Sequence, residues 1–108
     1  MLSIPNSRRL LILEEIRIDV TEKNIRIFDK PVEVTSKEYD LFIYLATHRN
    51  QVVSRNAIME CITKDPTTAF ENFDIAYAHI KNLKKKLKVA GQKDYIKTVY
   101  GRGYMFQL

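Results

Sequence analysis

The residues best placed to do chemistry lie near the end of the chain and are cationic. Lys81, Lys84, Lys85, Lys86, Lys88, Lys93, Lys97 and Arg102 stand against Asp94 alone. Residues 79–108 therefore carry +7 and residues 1–78 carry −2. A near-neutral body with a basic last quarter points to a polyanionic partner, although charge alone also fits a lysine face kept for solubility. Other chemistries lack their parts. The two histidines, His48 and His79, are 31 positions apart, and Cys61 is the single cysteine. No metal-ligand spacing, nucleophile motif or Walker-type loop is present. The sequence thus predicts neither an enzyme nor a cofactor or metal site. Gly101-Arg102-Gly103 lacks a third glycine and a following helix, so it reads as a tight turn presenting Arg102 at its tip.

The lysines need an element to aim them. Phe73, Ala76, Ile80, Leu83 and Leu87, spaced 3, 4, 3 and 4, predict the buried stripe of a helix over 72–90, with Gly91 as its stop. At about 100° per residue, the opposite side carries Asp74, Ile75, Ala78, Lys81, Asn82 and Lys85, with Lys84 and Lys88 on its flank. Small or uncharged residues come first and lysines later, which suits a groove with phosphates at its rim. Upstream, Thr35-Ser36-Lys37-Glu38 is a capping box opening a first helix on Tyr39, Phe42, Ile43 and Ala46. Ser54 caps a second helix, and 51–53 between them is a short extended piece. Before Thr35 the period is two: runs at 10–13, 16–20, 25–28 and 32–34, broken at 22–24 and 29–31, predict an antiparallel meander. Runs at 95–100 and 104–108 flank the last turn as a hairpin. Tyr39, Phe42, Phe73, Tyr104 and Phe106 fit core positions and not base-stacking ones.

The chain of 108 residues fits one domain. No apolar run approaches the ~20 residues a membrane span needs, and the start lacks a signal-peptide core. With a lone cysteine, a reducing, cytoplasmic setting is expected.

Sheet, helix, short strand, helix, loop, helix and hairpin make an α+β winged helix-turn-helix: a four-stranded antiparallel sheet, three helices and a C-terminal β-hairpin wing. In such units the last helix enters the major groove and its neighbours grip the backbone. The sequence resembles the C-terminal effector domain of OmpR/PhoB-type response regulators from about residue 12 to 106. The resemblance rests on Val34-Thr35-Ser36-Lys37-Glu38-Tyr39 with Leu41; on Val53-Ser54-Arg55; on His79-Ile80 with Leu83, Lys84, Lys86 and Leu87; and on the run from Ile96 through Thr98-Val99-Tyr100-Gly101-Arg102-Gly103-Tyr104 to Phe106.

That resemblance implies sequence-specific binding to double-stranded promoter DNA, usually by two copies head-to-tail on direct repeats, within a phosphorelay. It implies a receiver domain that this chain has no room for, so residues 1–9 are expected to be a linker remnant and 10–108 the DNA-binding domain. It places backbone contacts at His79, Lys81 and Lys84. Asn82 falls where relatives often have a base-contacting Arg, which points to adenine in place of guanine. Asp74 stands where Arg is common and Tyr77 where Asp is common; Asp74 would pair with Lys81 or accept from a cytosine amine. Arg55 on the second helix and Tyr100 and Arg102 on the wing complete the expected DNA set with Asp74, Ile75, Ala78 and Lys85. Lys64, Asp65, Thr67, Thr68 and Glu71 fall in the loop that can touch RNA polymerase in the family. The competing expectation is a winged helix that meets an acidic protein, with Asp74 and Tyr77 as lost DNA contacts.

Overall fold

Alternation at the start of the chain becomes a sheet with one buried face. The computed structural model, which describes residues 10–63 and 73–108, opens with strands β1 (Leu10–Leu13), β2 (Ile16–Asp19), β3 (Asn24–Ile27) and β4 (Lys30–Val32). They pair antiparallel in sequence order. The register sets Ile16 opposite Ile27, and Ile18 opposite Ile25, which in turn faces Val32. All five are buried, while Arg17, Arg26 and Pro31 line the outer face. The second turn differs from the expected 29–31. Ile27 pairs with Lys30, so the loop is Phe28-Asp29, with φ of 51° and 65°. Two consecutive positive φ values make the type I′ turn that matches strand twist. Strand β4 consequently starts at Lys30, and Pro31 sits in an edge strand, where a missing N–H is tolerated.

Helix α1 (Ser36–Thr47) begins at the expected capping box. The Glu38 amide donates to Thr35 Oγ1 at 3.2 Å and the Thr35 amide to Glu38 Oε1 at 3.0 Å. Helix α2 (Arg55–Ile62) is capped by Ser54, whose hydroxyl accepts from the Ala57 amide at 3.1 Å. Lys37 Nζ donates to the Ile62 carbonyl at 2.7 Å, so the first turn of α1 ties down the end of α2. Helix α3 (Phe73–Gly91) follows. Gly91 is its last residue, one position beyond the expected end, and the left-handed residue that follows the helix is Gln92, at φ 60°. Gly91 serves close approach instead, because a Cβ there would fall on the Tyr95 ring.

The wing strands are β5 (Ile96–Val99) and β6 (Gly103–Phe106), shorter than the expected runs. Tyr95 has left the strand and is fully buried. Its hydroxyl donates to Glu15 Oε2 at 2.6 Å, and Lys93 Nζ lies 3.1 Å from the same oxygen. The Tyr95 hydrogen bond holds the Glu15 carboxyl below its ordinary value against the opposing effect of burial, and Lys93 adds to it. This cluster clips the meander to the wing. Phe106 completes the join, with its ring edge-on to Phe42 at 5.6 Å and stacked on Tyr95 at 6.1 Å. The short extended piece at Val53 exchanges two backbone hydrogen bonds with Tyr104, at 2.7 and 2.9 Å, and so adds a third, one-residue strand to the hairpin. Tyr39, Phe42, Tyr104 and Phe106 are buried, as the sequence predicts. The expected linker, 1–9, the expected polymerase-contact loop with Lys64, Asp65, Thr67, Thr68 and Glu71, and the Phe73 side chain lie outside what the structure describes.

Candidate nucleic-acid interface

The inner side of α3 is set by Ala76, Ile80, Leu83, Leu87 and Ala90, all buried against the rest of the protein. Burial of each large apolar side chain is worth roughly 1.5–3 kcal/mol, so this stripe fixes the rotation of the helix. The other side is then determined. Asp74, Ile75, Ala78, Lys81, Asn82 and Lys85 are all exposed, as the spacing predicts. His79 and Lys84 are half-buried on opposite flanks. Asp74 makes no ion pair with Lys81 among the described residues, so the expected pairing of these two is absent; one turn separates Asp74 from Ala78, and Lys81 lies a full two turns on.

Two lysines are paired with carboxylates, and one of the pairs is structural. Lys86 Nζ lies 2.6 Å from Glu38 Oε1, and the Glu38 side chain is only 4% exposed. A charge that buried requires a partner, so Lys86 fastens α3 to the start of α1 and is not a spectator. Lys88 pairs with Asp94 at 3.6 Å. No sequence signal marks the Lys86–Glu38 pair, because 48 positions separate its members.

The wing stands beside the same side of α3. Residues 99–102 close its turn through an Arg102 amide to Val99 carbonyl bond of 2.9 Å. Tyr100 is 96% exposed and Arg102 is exposed beside it. Between wing and helix runs a groove of about 410 Å³, lined by Arg55, Tyr77, Thr98 and residues 99–104. Burial pushes the Tyr104 phenol above its ordinary value; the neighbouring Tyr77 phenol adds to this and the Arg55 guanidinium opposes it. Arg55 from α2, Tyr77 from α3 and Tyr104 from β6 thus converge on one groove. In the sequence Tyr77 stands out only as a departure from a family pattern; its place on the wall of this groove depends on how the wing folds back.

The assembled surface is an exposed helix face that begins with Asp74, Ile75 and Ala78 and becomes cationic from Lys81 onward, next to a hairpin tipped by arginine. Such a surface can lay a helix into a major groove while cations meet phosphates on either side. Among the described residues no group of His, Cys, Asp and Glu could hold a metal ion. No helix among them is long and apolar enough to cross a membrane.

Comparison with known proteins points the same way. The family described as "Transcriptional regulatory protein, C terminal" matches residues 29–106. The response regulator ArlR of Staphylococcus haemolyticus is 35% identical over 92 residues, which are 85% of this chain and 41% of ArlR. The chain therefore spans about two-fifths of that relative's length. The solved DNA-binding domain of CpxR from E. coli has a TM-score of 0.70 at 28% identity, covering 91% of this chain and 95% of that one. The DNA-binding domain of AdeR, solved in complex with an intercistronic region, superposes with a TM-score of 0.79 over 90% of this chain and 98% of that one. At 21% identity it attests the fold.

Proposed function

This chain belongs to the family of transcriptional regulatory protein C-terminal domains, the OmpR/PhoB-type effector domains of response regulators, and from that premise we propose that it binds specific sequences in double-stranded promoter DNA. The observation that carries this reading is the exposed side of α3, where Ala78 and Asn82 sit among Lys81 and Lys85 with Lys84 on the flank, while the apolar stripe is sealed inside. In this reading α3 enters the major groove. Arg55 grips the adjacent backbone, and the wing brings Tyr100 and Arg102 to the minor groove or its phosphates. His79, Lys81, Lys84 and Lys85 supply backbone contacts, and Asp74, Ile75, Ala78 and Asn82 face base edges.

Three further parts of the reading come from the family. A second copy binds head-to-tail on a direct repeat. A receiver domain, in the longer protein, sets whether the copies pair. The segment with Lys64, Asp65, Thr67, Thr68 and Glu71 meets RNA polymerase. The domain acts by binding and catalyses nothing.

Salt dependence tests the core of the proposal. About five or six phosphate contacts give a slope of log K against log salt near −5. Lys84→Ala is expected to weaken binding to all duplexes alike and to flatten that slope by about one. Equal slopes for the two proteins would remove Lys84 from the phosphate contacts. Weak, sequence-blind DNA binding together with tight binding to an acidic protein would favour the competing reading, in which Asp74 and Tyr77 belong to a protein-binding face.

A further inference from the structure

Helix α3 carries five lysines and no arginine. Arginine's planar fork is the group best matched to guanine O6 and N7, whereas lysine presents a strongly hydrated point charge suited to phosphate. Two of the five lysines are already engaged, Lys86 by Glu38 and Lys88 by Asp94. What the exposed side offers to bases is different in kind. Ile75, Ala78 and Asn82 follow one another at i, i+3 and i+7, and all three are exposed. Ile75 remains 38% exposed although its neighbours Ala76 and Ile80 are buried. At 1.5 Å per residue the stripe is about 10 Å long, close to three base-pair steps of about 3.4 Å. Methyl groups of Ile and Ala match the thymine C5-methyl, and the Asn amide matches adenine N6 and N7. Asp74, at the N-terminal margin, is the group on this side that would accept from a cytosine amine. On the wing, Arg102 suits the narrow, electronegative minor groove of A·T tracts.

Resting on the DNA-binding reading above, we propose that the site this chain recognises is A·T-rich in both grooves. Thymine methyls pack against Ile75 and Ala78, an adenine is held by Asn82, and an A·T minor groove lies under Arg102. The specificity of α3 is that of a methyl-and-amide stripe, and Lys81, Lys84 and Lys85 hold the backbone.

The experiment is a binding-site selection from random duplexes with the 108-residue chain, followed by replacement of each thymine in the selected duplex with deoxyuridine, which removes only the methyl. Selection is expected to return about three consecutive A·T pairs in the major-groove segment. Deoxyuridine at a contacted position is expected to lower affinity about fourfold, the effect of exposing one buried methyl. Ile75→Ala abolishes that sensitivity at one thymine, and Asn82→Ala reduces the preference for adenine at one position roughly tenfold. Both residues are exposed, so the variants keep the fold. G·C pairs in the selected segment, or indifference to deoxyuridine, would overturn the inference and leave DNA binding standing. Failure to retain any duplex at low salt would overturn both.

Discussion

Gly103→Ala is expected to destabilise the protein by about 3 kcal/mol or more, through strain at a glycine-only backbone conformation and the loss of two backbone hydrogen bonds. The backbone at Gly103 has φ 146°, and a Cβ there would fall on the Val53 carbonyl oxygen. That carbonyl accepts the Tyr104 amide, and the Val53 amide donates to the Tyr104 carbonyl, so the displaced group belongs to the rung that holds the wing to the α1–α2 connection. Nothing flexible is present to yield; the crowding atoms are Val53 and Ser54 backbone. For a domain of this size the loss corresponds to roughly 15 °C in Tm. Gly101→Ala is the control. Its φ is 76°, but no atom lies within 4 Å of the added Cβ, so only the left-handed penalty of about 1–2 kcal/mol applies. Urea unfolding of the two variants measures the difference. Equal stabilities would mean that the Val53–Tyr104 rung does not constrain the wing.

The combined variant Lys81→Glu, Lys85→Glu is expected to lose DNA affinity at least about 60-fold at ~0.1 M salt, with unfolding unchanged. Each phosphate contact contributes a slope of about 0.9 in log K, or roughly eightfold between 1 M and ~0.1 M salt, so two contacts alone account for that figure. Reversing the charges adds repulsion to the loss. Both side chains are exposed and neither takes part in an ion pair among the described residues, which is why the fold should be indifferent. A fluorescence anisotropy titration with a labelled duplex measures the affinity. Unchanged affinity would take this side of α3 out of the interface.

Much of the architecture was legible in the sequence because it follows from local rules. The 3-4-3-4 spacing in α3 gave both its buried stripe and, by rotation, its exposed side. The capping box at Thr35 and the serine cap at Ser54 located two helix starts. Three features were not legible, each for a stated reason. The turn at Phe28-Asp29 was masked because Lys30-Pro31 looks like turn chemistry, while the pairing of Ile27 with Lys30 decided the register. Gly91 looked like a helix stop, but its absence of a side chain answers a tertiary demand from the Tyr95 ring. The pairs Lys86–Glu38 and Tyr95–Glu15 span 48 and 80 positions, and no periodicity connects residues so far apart. At the candidate site the same division holds. The α3 face was readable from spacing, whereas the groove joining Arg55, Tyr77 and the wing arises from the hairpin packing back on Val53.

The most direct measurement of the central claim is an NMR titration of the ¹⁵N-labelled chain with a 20-base-pair duplex at low ionic strength. The expected result is that the amides of Asp74, Ala78, Lys81, Asn82 and Lys85, with Tyr100 and Arg102 on the wing, shift on binding while β1–β4 stay in place. Shifts confined to the sheet, or none at all with any duplex, would contradict it.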